Sequence, residues 1–333
     1  MTLLKQCFTA VLLTGSLLLM GCDYNAEPPT VTDSASPTTV SDKVSLQLNW
    51  FPEPEFGGIY EAERAGIFKK HGLEVTILQG GPNVPAVQLV TSGRVDMGIA
   101  AADEVINFRL QGDDLVAIFA TYQTSPQGIM VHDSNPAGSI PELLAAGGDI
   151  AVQPEIAYVK YFEKKYDVSR IRFIAYDGGV VQFLNNPAYA QQCFVFSEPV
   201  AAKQQGAKPK VFLIADTGFN PYTAVVVTRG EFLKKNHEIA ARFAAALAEG
   251  WRAYLDNPAP ANEMMAKLNP NMDLKTFAQA AEAQKPLIEN QETAEHGLGS
   301  MSKERWIELS RQLVEIGVAK QTVEPEKCFV NLK

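Results

Sequence analysis

Carboxylate and aromatic side chains are concentrated in one short stretch of the chain, residues 48–60. Trp50 and Phe51 are followed by Glu53 and Glu55, with a proline before each glutamate. Carboxylates accept charge-assisted hydrogen bonds, which are about twice as strong as neutral ones, and aromatic rings stack on flat groups. The stretch predicts a site for a planar ligand that donates hydrogen bonds. A loop with a core tryptophan and two solvated glutamates is the alternative.

The patterns around this stretch are typical of an open α/β sheet. A strand with alternating apolar residues, 44–49, leads into it, and the glycine pair 57–58 opens a helical pattern. Strand and helix patterns then alternate up to residue 122 and again between residues 148 and 214. This alternation predicts parallel, doubly wound sheets, which bind ligands at the carboxyl ends of their strands.

The two runs of strand and helix patterns resemble each other in three places. The matching features are 49–53 with 153–155, the glycine pairs 80–81 and 178–179, and Asp103 with Glu198. They occur in the same order in both runs. The internal repeat predicts two similar lobes.

Composition fits a soluble globular body. The chain has 333 residues, of which 46% are hydrophobic and 20% are charged, so it can form one large or two medium domains. Its net charge is -9 and it has no basic stripe. We therefore expect no nucleic-acid partner.

The first residues are typical of an exported protein. Residues 8–20 form an apolar run that follows one positive charge and is too short to span a bilayer, as in a secretory signal peptide. Leu19, Gly21 and Cys22 resemble the lipobox of bacterial lipoproteins. That resemblance implies cleavage before Cys22, a lipid on its sulfur, and a place in the periplasm or cell envelope. The residue after Cys22, Asp23, fits anchoring to the inner membrane.

Four segments are predicted along the chain. The tail after a strand pattern at 223–228 is almost wholly helical, so its helices must pack on an existing lobe, and we assign them to the first. Residues 23–42 are rich in Pro, Ser, Thr and Ala, which predicts a flexible tether. The segments are a signal peptide (1–21), the lipidated cysteine and tether (22–42), the first lobe (43–125 and 225–333) and the second lobe (126–224).

The remaining cysteines do not suggest a metal or a cofactor. Cys193 and Cys328 are far apart in the sequence, and no Cys/His spacing resembles a metal site. Two buried free thiols are the expectation, with a disulfide between them as the alternative.

Several motifs resemble a known family. They are Leu-Asn-Trp-Phe-Pro at 48–52, Ala-Gly-Ile-Phe at 65–68 with Gly-Leu-Glu-Val at 72–75, Ser-Gly-Arg-Val-Asp at 92–96 and Ser-Glu-Pro at 197–199. Across residues 44–320 the chain resembles periplasmic solute-binding proteins of ABC importers, in the group that binds thiamine pyrimidine precursors, sulfonates, taurine and nitrate. Phe-Asn-Pro-Tyr at 219–222 points to the pyrimidine-precursor branch.

The resemblance implies a fold and a place for the ligand. The fold is the two-lobed periplasmic-binding-protein fold (type II), two doubly wound sheets joined by a two-stranded hinge near residues 122–131 and 219–228. The ligand lies between the lobes, which close over it. The predicted ligand-binding residues are Asn49, Trp50, Glu53, Glu55, Phe56, Gly57, Asp103, Gln153, Glu155, Tyr158, Tyr176, Glu198 and Tyr222. The implied partners are an ABC permease with its ATPase, and the membrane through the lipid anchor.

Charge in the predicted cleft loops indicates the class of ligand. These loops carry glutamates and aspartates but neither lysine nor arginine, whereas sites for sulfonate or nitrate need positive charge or helix N-terminal amides. We therefore expect a planar nitrogen heterocycle that resembles a thiamine pyrimidine precursor. The alternatives are another small solute, namely a sulfonate, nitrate, a riboflavin-like compound or a cation.

Two other classes of function stay open at this stage. One branch of the wider family is an enzyme, the fungal pyrimidine-precursor synthase, which uses a cysteine-rich segment, a histidine and a pyridoxal-phosphate lysine. The four histidines here have no nucleophile near them in the sequence, and the export signal is unlike a cytosolic enzyme, so we expect a binding protein without turnover. A sensory pair of lobes that signals to a membrane protein is the other alternative.

Overall fold

The computed structural model describes residues 41–332. The predicted signal peptide, the lipidated Cys22 and nearly all of the tether lie outside the described residues. The first strand begins at Asp42, at the end of the stretch predicted as tether. The Asp42 backbone N–H donates to the Gly72 carbonyl at 3.0 Å, and its carboxylate pairs with Arg242.

Ten strands form two sheets of five within residues 41–332. The strands are β1 (Asp42–Gln47), β2 (Leu73–Leu78), β3 (Met97–Ala100), β4 (Leu115–Ala120), β5 (Gln127–His132), β6 (Gly148–Val152), β7 (Ile171–Ala175), β8 (Ala190–Phe194), β9 (Pro209–Leu213) and β10 (Val225–Arg229). The first sheet has the order β2-β1-β3-β10-β4 and the second has the order β7-β6-β8-β5-β9.

The two sheets have the same topology. In the first, β1 is parallel to β2 and β3, while β10 is antiparallel to β3 and β4. In the second, β6 is parallel to β7 and β8, while β5 is antiparallel to β8 and β9. The single antiparallel strand of each sheet is the first strand after the chain crosses from the other sheet. The predicted α/β fold of two similar, doubly wound lobes is thereby confirmed.

Fifteen helices accompany these strands in the described part of the chain. They are α1 (Gly57–Arg64), α2 (Ile67–Lys70), α3 (Ala86–Thr91), α4 (Ala102–Gln111), α5 (Ile140–Ala146), α6 (Ala157–Lys165), α7 (Val181–Asn185), α8 (Glu198–Gln204), α9 (Gly230–Lys235), α10 (His237–Asp256), α11 (Ala259–Leu268), α12 (Leu274–Ile288), α13 (Gln291–His296), α14 (Lys303–Glu315) and α15 (Pro325–Cys328). None of them is both long and apolar enough to span a membrane.

The C-terminal helices contact both lobes. α10 and α11 pack on α1, and α15 packs on β4, so these three belong with the first sheet. However, α12 also touches α8 and α14 also touches α6, and both α6 and α8 accompany the second sheet. The predicted assignment of the whole tail to the first lobe describes only part of its packing. The predicted boundaries of the lobes stay a prediction.

A glycine pair brings α10 close to the start of α1. A Cβ atom added to Gly57 would lie 2.2 Å from the Tyr254 ring, and one added to Gly58 would lie 2.3 Å from the Trp251 ring. Both aromatic side chains are almost fully buried. Only glycine permits this approach, which fixes α1 and therefore the end of the loop that precedes it.

Two segments cross between the sheets, residues 121–126 after β4 and residues 214–224 after β9. They are hydrogen-bonded to each other. The Ser125 backbone N–H donates to Asn220 Oδ1 at 2.8 Å, and the Ser125 and Thr223 hydroxyls are 3.1 Å apart. We call these two segments the crossings.

Arg305 on α14 binds both crossings. Its Nη1 donates to the Gln123 carbonyl at 2.5 Å, and its Nε donates to the Asn220 carbonyl at 2.7 Å. Its guanidinium also lies 3.8 Å from the centre of the Tyr222 ring. Burial lowers the pKa of Arg305 to about 10, so the side chain stays charged at neutral pH. Arg305 ties the two crossings together where the lobes meet.

Both remaining cysteines are buried free thiols. The expectation of two free thiols is confirmed, and the alternative disulfide is not formed. Cys193 lies in β8 and Cys328 ends α15.

Candidate functional site

The glutamates of the first lobe lie on a loop directly after β1, residues 48–56, which we call the acidic loop. Pro54 opens one turn of 3-10 helix, Pro54–Phe56, because its ring fixes φ and the first turn needs no N–H donor. The Gln47 side-chain amide donates to the carbonyls of Leu48 and Gln79, each at 2.9 Å. These bonds join the acidic loop to the segment that follows β2.

A second anchor of the acidic loop comes from α12. Gln284 is fully buried, and its Nε2 donates to the Pro54 carbonyl at 2.8 Å. Its Oε1 accepts a hydrogen bond from the Tyr122 hydroxyl at 2.6 Å. Sequence reasoning missed both Gln284 and Tyr122 because Gln284 lies 230 residues from Pro54. The acidic loop is therefore held from β1, from α12 and from the start of a crossing.

The carboxylate of the second lobe is Glu198, the first residue of α8. Its Oε1 accepts a hydrogen bond from the Tyr176 hydroxyl at 2.8 Å, and its Oε2 accepts one from the Phe194 backbone N–H at 2.8 Å. Tyr176 follows β7 and Phe194 ends β8, so the carboxyl ends of two parallel strands orient this side chain. The structure brings the predicted residues Tyr176 and Glu198 together.

Glu53, Glu55 and Glu198 form one carboxyl cluster between the lobes. Burial raises the pKa of Glu53 to about 8, with a further contribution from Glu198. Burial also raises the pKa of Glu55 to about 8, and Glu53 and Glu198 add to the shift. The pKa of Glu198 is raised by burial as well, although the Tyr176 hydroxyl opposes the shift. The contributions of Glu198 to the pKa values of Glu53 and Glu55 mean that carboxyls of the two lobes lie close together.

No cation pairs with the carboxyl cluster in residues 41–332. The ion pairs of this part of the chain involve other carboxylates, such as Glu61 with Arg64 and Glu249 with Lys70. The indole N–H of Trp50 donates a hydrogen bond to Glu53, which lowers its pKa. The described residues also contain no group of His, Cys, Asp and Glu side chains that could hold a metal ion. The raised pKa values keep Glu53 and Glu55 largely protonated at neutral pH in the absence of such a partner.

Aromatic side chains surround the carboxyl cluster. The rings of Trp50 and Phe51 meet edge to face with centroids 5.4 Å apart. Tyr122 stacks on Phe196 with centroids 5.5 Å apart, and Phe194 lies 5.8 Å from Phe196. Tyr122, Phe194 and Phe196 were not among the site residues predicted from the sequence. Their position at the ends of the predicted strands 115–122 and 192–196 was the signal that could have found them.

The predicted loop after β6 is only partly joined to this site. The Gln153 backbone N–H donates to Gln192 Oε1 at 2.6 Å, and the Tyr158 hydroxyl lies 3.4 Å from the same oxygen. Burial raises the pKa of Tyr158, and Cys193 and Glu198 contribute, so Tyr158 lies near the cluster. Sequence reasoning missed Gln192, although it lies in the predicted strand 192–196.

Glu155 lies away from the carboxyl cluster. Its side chain is exposed and its φ is 59°, in the left-handed region that costs a non-glycine residue energy. With Gln153 it lines an open cavity of 310 Å³ between the ends of β6 and β7 and the helix α6. No contact joins Glu155 to Glu53, Glu55 or Glu198.

The other predicted residues lie in several environments. Asp103 lies in the first turn of α4. Burial raises its pKa, and no member of the carboxyl cluster contributes. The Tyr222 hydroxyl accepts a hydrogen bond from the Ser302 backbone N–H at 2.8 Å, and its ring packs on Arg305, so it belongs to a crossing. Phe56 and Gly57 are buried in the first lobe. Asn49 is half-buried, and its Oδ1 has no hydrogen-bond partner.

The cluster makes a prediction for stability against pH. The carboxyls have folded-state pKa values above their ordinary values, so the stabilisation is complete at acid pH and is lost as the pH rises through about 8. One pKa unit corresponds to about 1.4 kcal/mol. We expect the free energy of unfolding, measured with urea, to fall by roughly 2–4 kcal/mol between pH 5.5 and pH 9.

The matched variants are Glu55→Gln and Glu249→Gln. Glutamine does not ionise, so Glu55→Gln flattens the dependence on pH. The pKa of Glu249 is lowered by Lys70 and His71, so Glu249→Gln keeps the wild-type slope. Stability that rises with pH in the wild-type chain would contradict a buried, uncompensated cluster.

Two relatives match nearly the whole chain. A riboflavin-binding protein, RibY, of Chloroflexus aurantiacus is 23% identical over 355 residues and covers 96% of both chains. A formylaminopyrimidine-binding protein of Halalkalibacterium halodurans is 22% identical over 311 residues, which are 90% of this chain and 93% of the relative.

Solved structures and a protein family match as well. The periplasmic aliphatic sulphonate binding protein SsuA of Escherichia coli has a TM-score of 0.67 at 13% identity, over 88% of this chain and 93% of that one. The likeness confirms the predicted periplasmic-binding-protein fold. Residues 53–261 match the family described as NMT1/THI5 like, which agrees with the resemblance to the pyrimidine-precursor group. Since the match spans more than half of the sequence, the chain belongs to the NMT1/THI5-like family.

Proposed function

We propose that this protein is the substrate-binding component of an ABC importer and that it captures a small planar nitrogen heterocycle between its lobes. One observation carries the proposal. Glu53 and Glu55 of one lobe and Glu198 of the other face one another without a cation. A ligand with amino groups, or with a protonated ring nitrogen, donates hydrogen bonds to these carboxyls and provides the positive charge that pairs with them.

The names of the two relatives support this class of ligand. Riboflavin and formylaminopyrimidine are both flat nitrogen heterocycles, and the proteins that bind them match this chain almost from end to end. The likeness to a sulphonate-binding protein concerns the fold. A sulfonate is an anion, and three carboxyls at one point disfavour an anion there.

The residues of the site are divided between the two lobes, and this division accounts for ligand capture. In the open form each lobe offers only part of the site, with Trp50 and the acidic loop on one side and Glu198 and Tyr176 on the other. When the lobes close, the ring stacks on Trp50 and its donors reach carboxyls from both sides. Each pair of stacked rings contributes about 1 kcal/mol. Closure removes water from these contacts and strengthens them.

The same proposal covers the partners and the location. Lipidation of Cys22 would anchor the body to the membrane, and a permease with its ATPase would receive the ligand from the closed protein. We infer capture without turnover. Burial and Glu198 raise the pKa of the Cys193 thiol, and this favours the thiol over the nucleophilic thiolate.

Ligand capture is tested by mass spectrometry of molecules that co-purify with the protein. The expected molecule is a heterocycle of the aminopyrimidine or flavin type. After the protein has been unfolded, stripped and refolded, this compound should raise the melting temperature, and an alkanesulfonate should not. No thermal shift with any aromatic heterocycle, or a shift with the sulfonate alone, would contradict the proposal.

The role of the acidic loop is tested by replacing Glu53 and Glu55 with glutamine. Glutamine keeps the shape but loses the charge, and charge-assisted bonds contribute about 1.5–3 kcal/mol each. We expect the affinity for the co-purified ligand, measured by calorimetry, to fall by roughly 10- to 100-fold. Glu163→Gln is the control because Glu163 is exposed on α6 and pairs with Lys160. Wild-type affinity in the double variant would remove both glutamates from the site.

A further inference from the structure

The helix α12 contacts both elements that carry the carboxyl cluster, one in each lobe. α12 lies against the 3-10 turn of the acidic loop at residues 54–56 and also against α8, which begins with Glu198. The acidic loop belongs to the first lobe and α8 to the second. α12 therefore contacts both of the elements that carry the cluster.

The end of α12 near the crossings holds the acidic loop. Gln284 binds the Pro54 carbonyl and the Tyr122 hydroxyl, as described above. The Leu287 carbonyl accepts hydrogen bonds from the Gln123 and Thr124 backbone N–H groups at 2.8 and 3.0 Å. These contacts fix α12 to the first lobe and to the start of a crossing.

The opposite end of α12 holds α8 through one side chain. Gln204 Oε1 accepts a hydrogen bond from the Thr276 hydroxyl at 2.9 Å, and Gln204 Nε2 donates to Gln279 Oε1 at 3.1 Å. Thr276 is itself fixed, since Asp273 Oδ1 accepts hydrogen bonds from its backbone N–H at 2.7 Å and from its hydroxyl at 2.9 Å. Gln204 thus meets a partner that is already ordered.

A second contact between the lobes lies beside the crossings. α6 touches α14, and Lys165 pairs with Glu315 at 3.3 Å. α14 also carries Arg305, which binds both crossings. The contact of Gln204 with α12 joins the lobes on the side of Glu198.

We propose that Gln204 is a positioning residue for ligand binding, which joins α8 to α12 when the lobes close and so places Glu198 opposite Glu53 and Glu55. The ligand-binding part of this inference rests on the proposed function. The mechanical part concerns the chain alone. Two hydrogen bonds between the lobes raise the population of the form in which they are made, and the measured affinity follows the population of the competent form.

The test is the fraction of closed molecules in single-molecule fluorescence transfer. Dyes are attached to cysteines that replace Glu74 on β2 and Glu163 on α6, both of which are exposed, while Cys193 and Cys328 are buried. The variants are Gln204→Ala, Gln279→Ala and their combination. The control is Gln205→Ala, because Gln205 is exposed and its side chain reaches only the Ala201 carbonyl of its own helix. Measurements are made without ligand and with riboflavin.

We expect Gln204→Ala to lower the ratio of closed to open molecules by about 5-fold with an unchanged melting temperature. Gln279→Ala should lower it less, and the double variant should match Gln204→Ala because both changes remove the same bond. Closed fractions equal to the wild type in both conditions, or an equal loss in Gln205→Ala, would overturn the proposal. If riboflavin does not bind, the measurement without ligand still decides the role of Gln204.

Discussion

The constraint on which the site depends is a cluster of three carboxyls without a counter-cation, of which Glu55 is buried and Glu53 and Glu198 are half-buried. Glu53, Glu55 and Glu198 come from two lobes. Desolvation raises the pKa values of all three, and repulsion from Glu198 adds to the shifts of Glu53 and Glu55. In a purely structural core such a group would be paired or replaced by apolar residues. Under the proposed function, a bound molecule donates hydrogen bonds to the cluster at the meeting point of the two lobes.

The fold provides the frame for this arrangement by using one topology twice. Parallel strands present their carboxyl ends at one edge of each sheet. The acidic loop follows β1 of the first sheet, and Glu198 follows β8 of the second. The crossings, tied together by Arg305, bring the two edges opposite each other. α12 then adds what neither sheet provides, since its Gln284 holds the acidic loop and its Thr276 and Gln279 bind Gln204 of α8.

Sequence patterns predicted those features that depend on local order. Residues close together in the sequence predicted the alternation of strands and helices, the internal repeat and the acidic loop. The partners of the site residues could not. Gln284 lies 162 residues from Tyr122 and 230 residues from Pro54, and only the fold brings them into hydrogen-bond distance. The repeat also misled, because Glu155 matches Glu53 in sequence but is exposed in a strained turn, while Asp103 matches Glu198 without facing the cluster. Positions that match in the repeat therefore have different environments in the two lobes.

The most direct test of the central claim is the number of protons released when the ligand binds. Titration calorimetry in buffers of different ionisation enthalpy measures this number at pH 7. Glu53 and Glu55, whose pKa values lie at about 8, are largely protonated in the free protein. A ligand that binds the carboxylate form must displace these protons, so we expect release of about one proton or more and an affinity that rises from pH 6 to pH 8. Binding without proton release, at an affinity independent of pH, would contradict the carboxyl cluster as the ligand's partner.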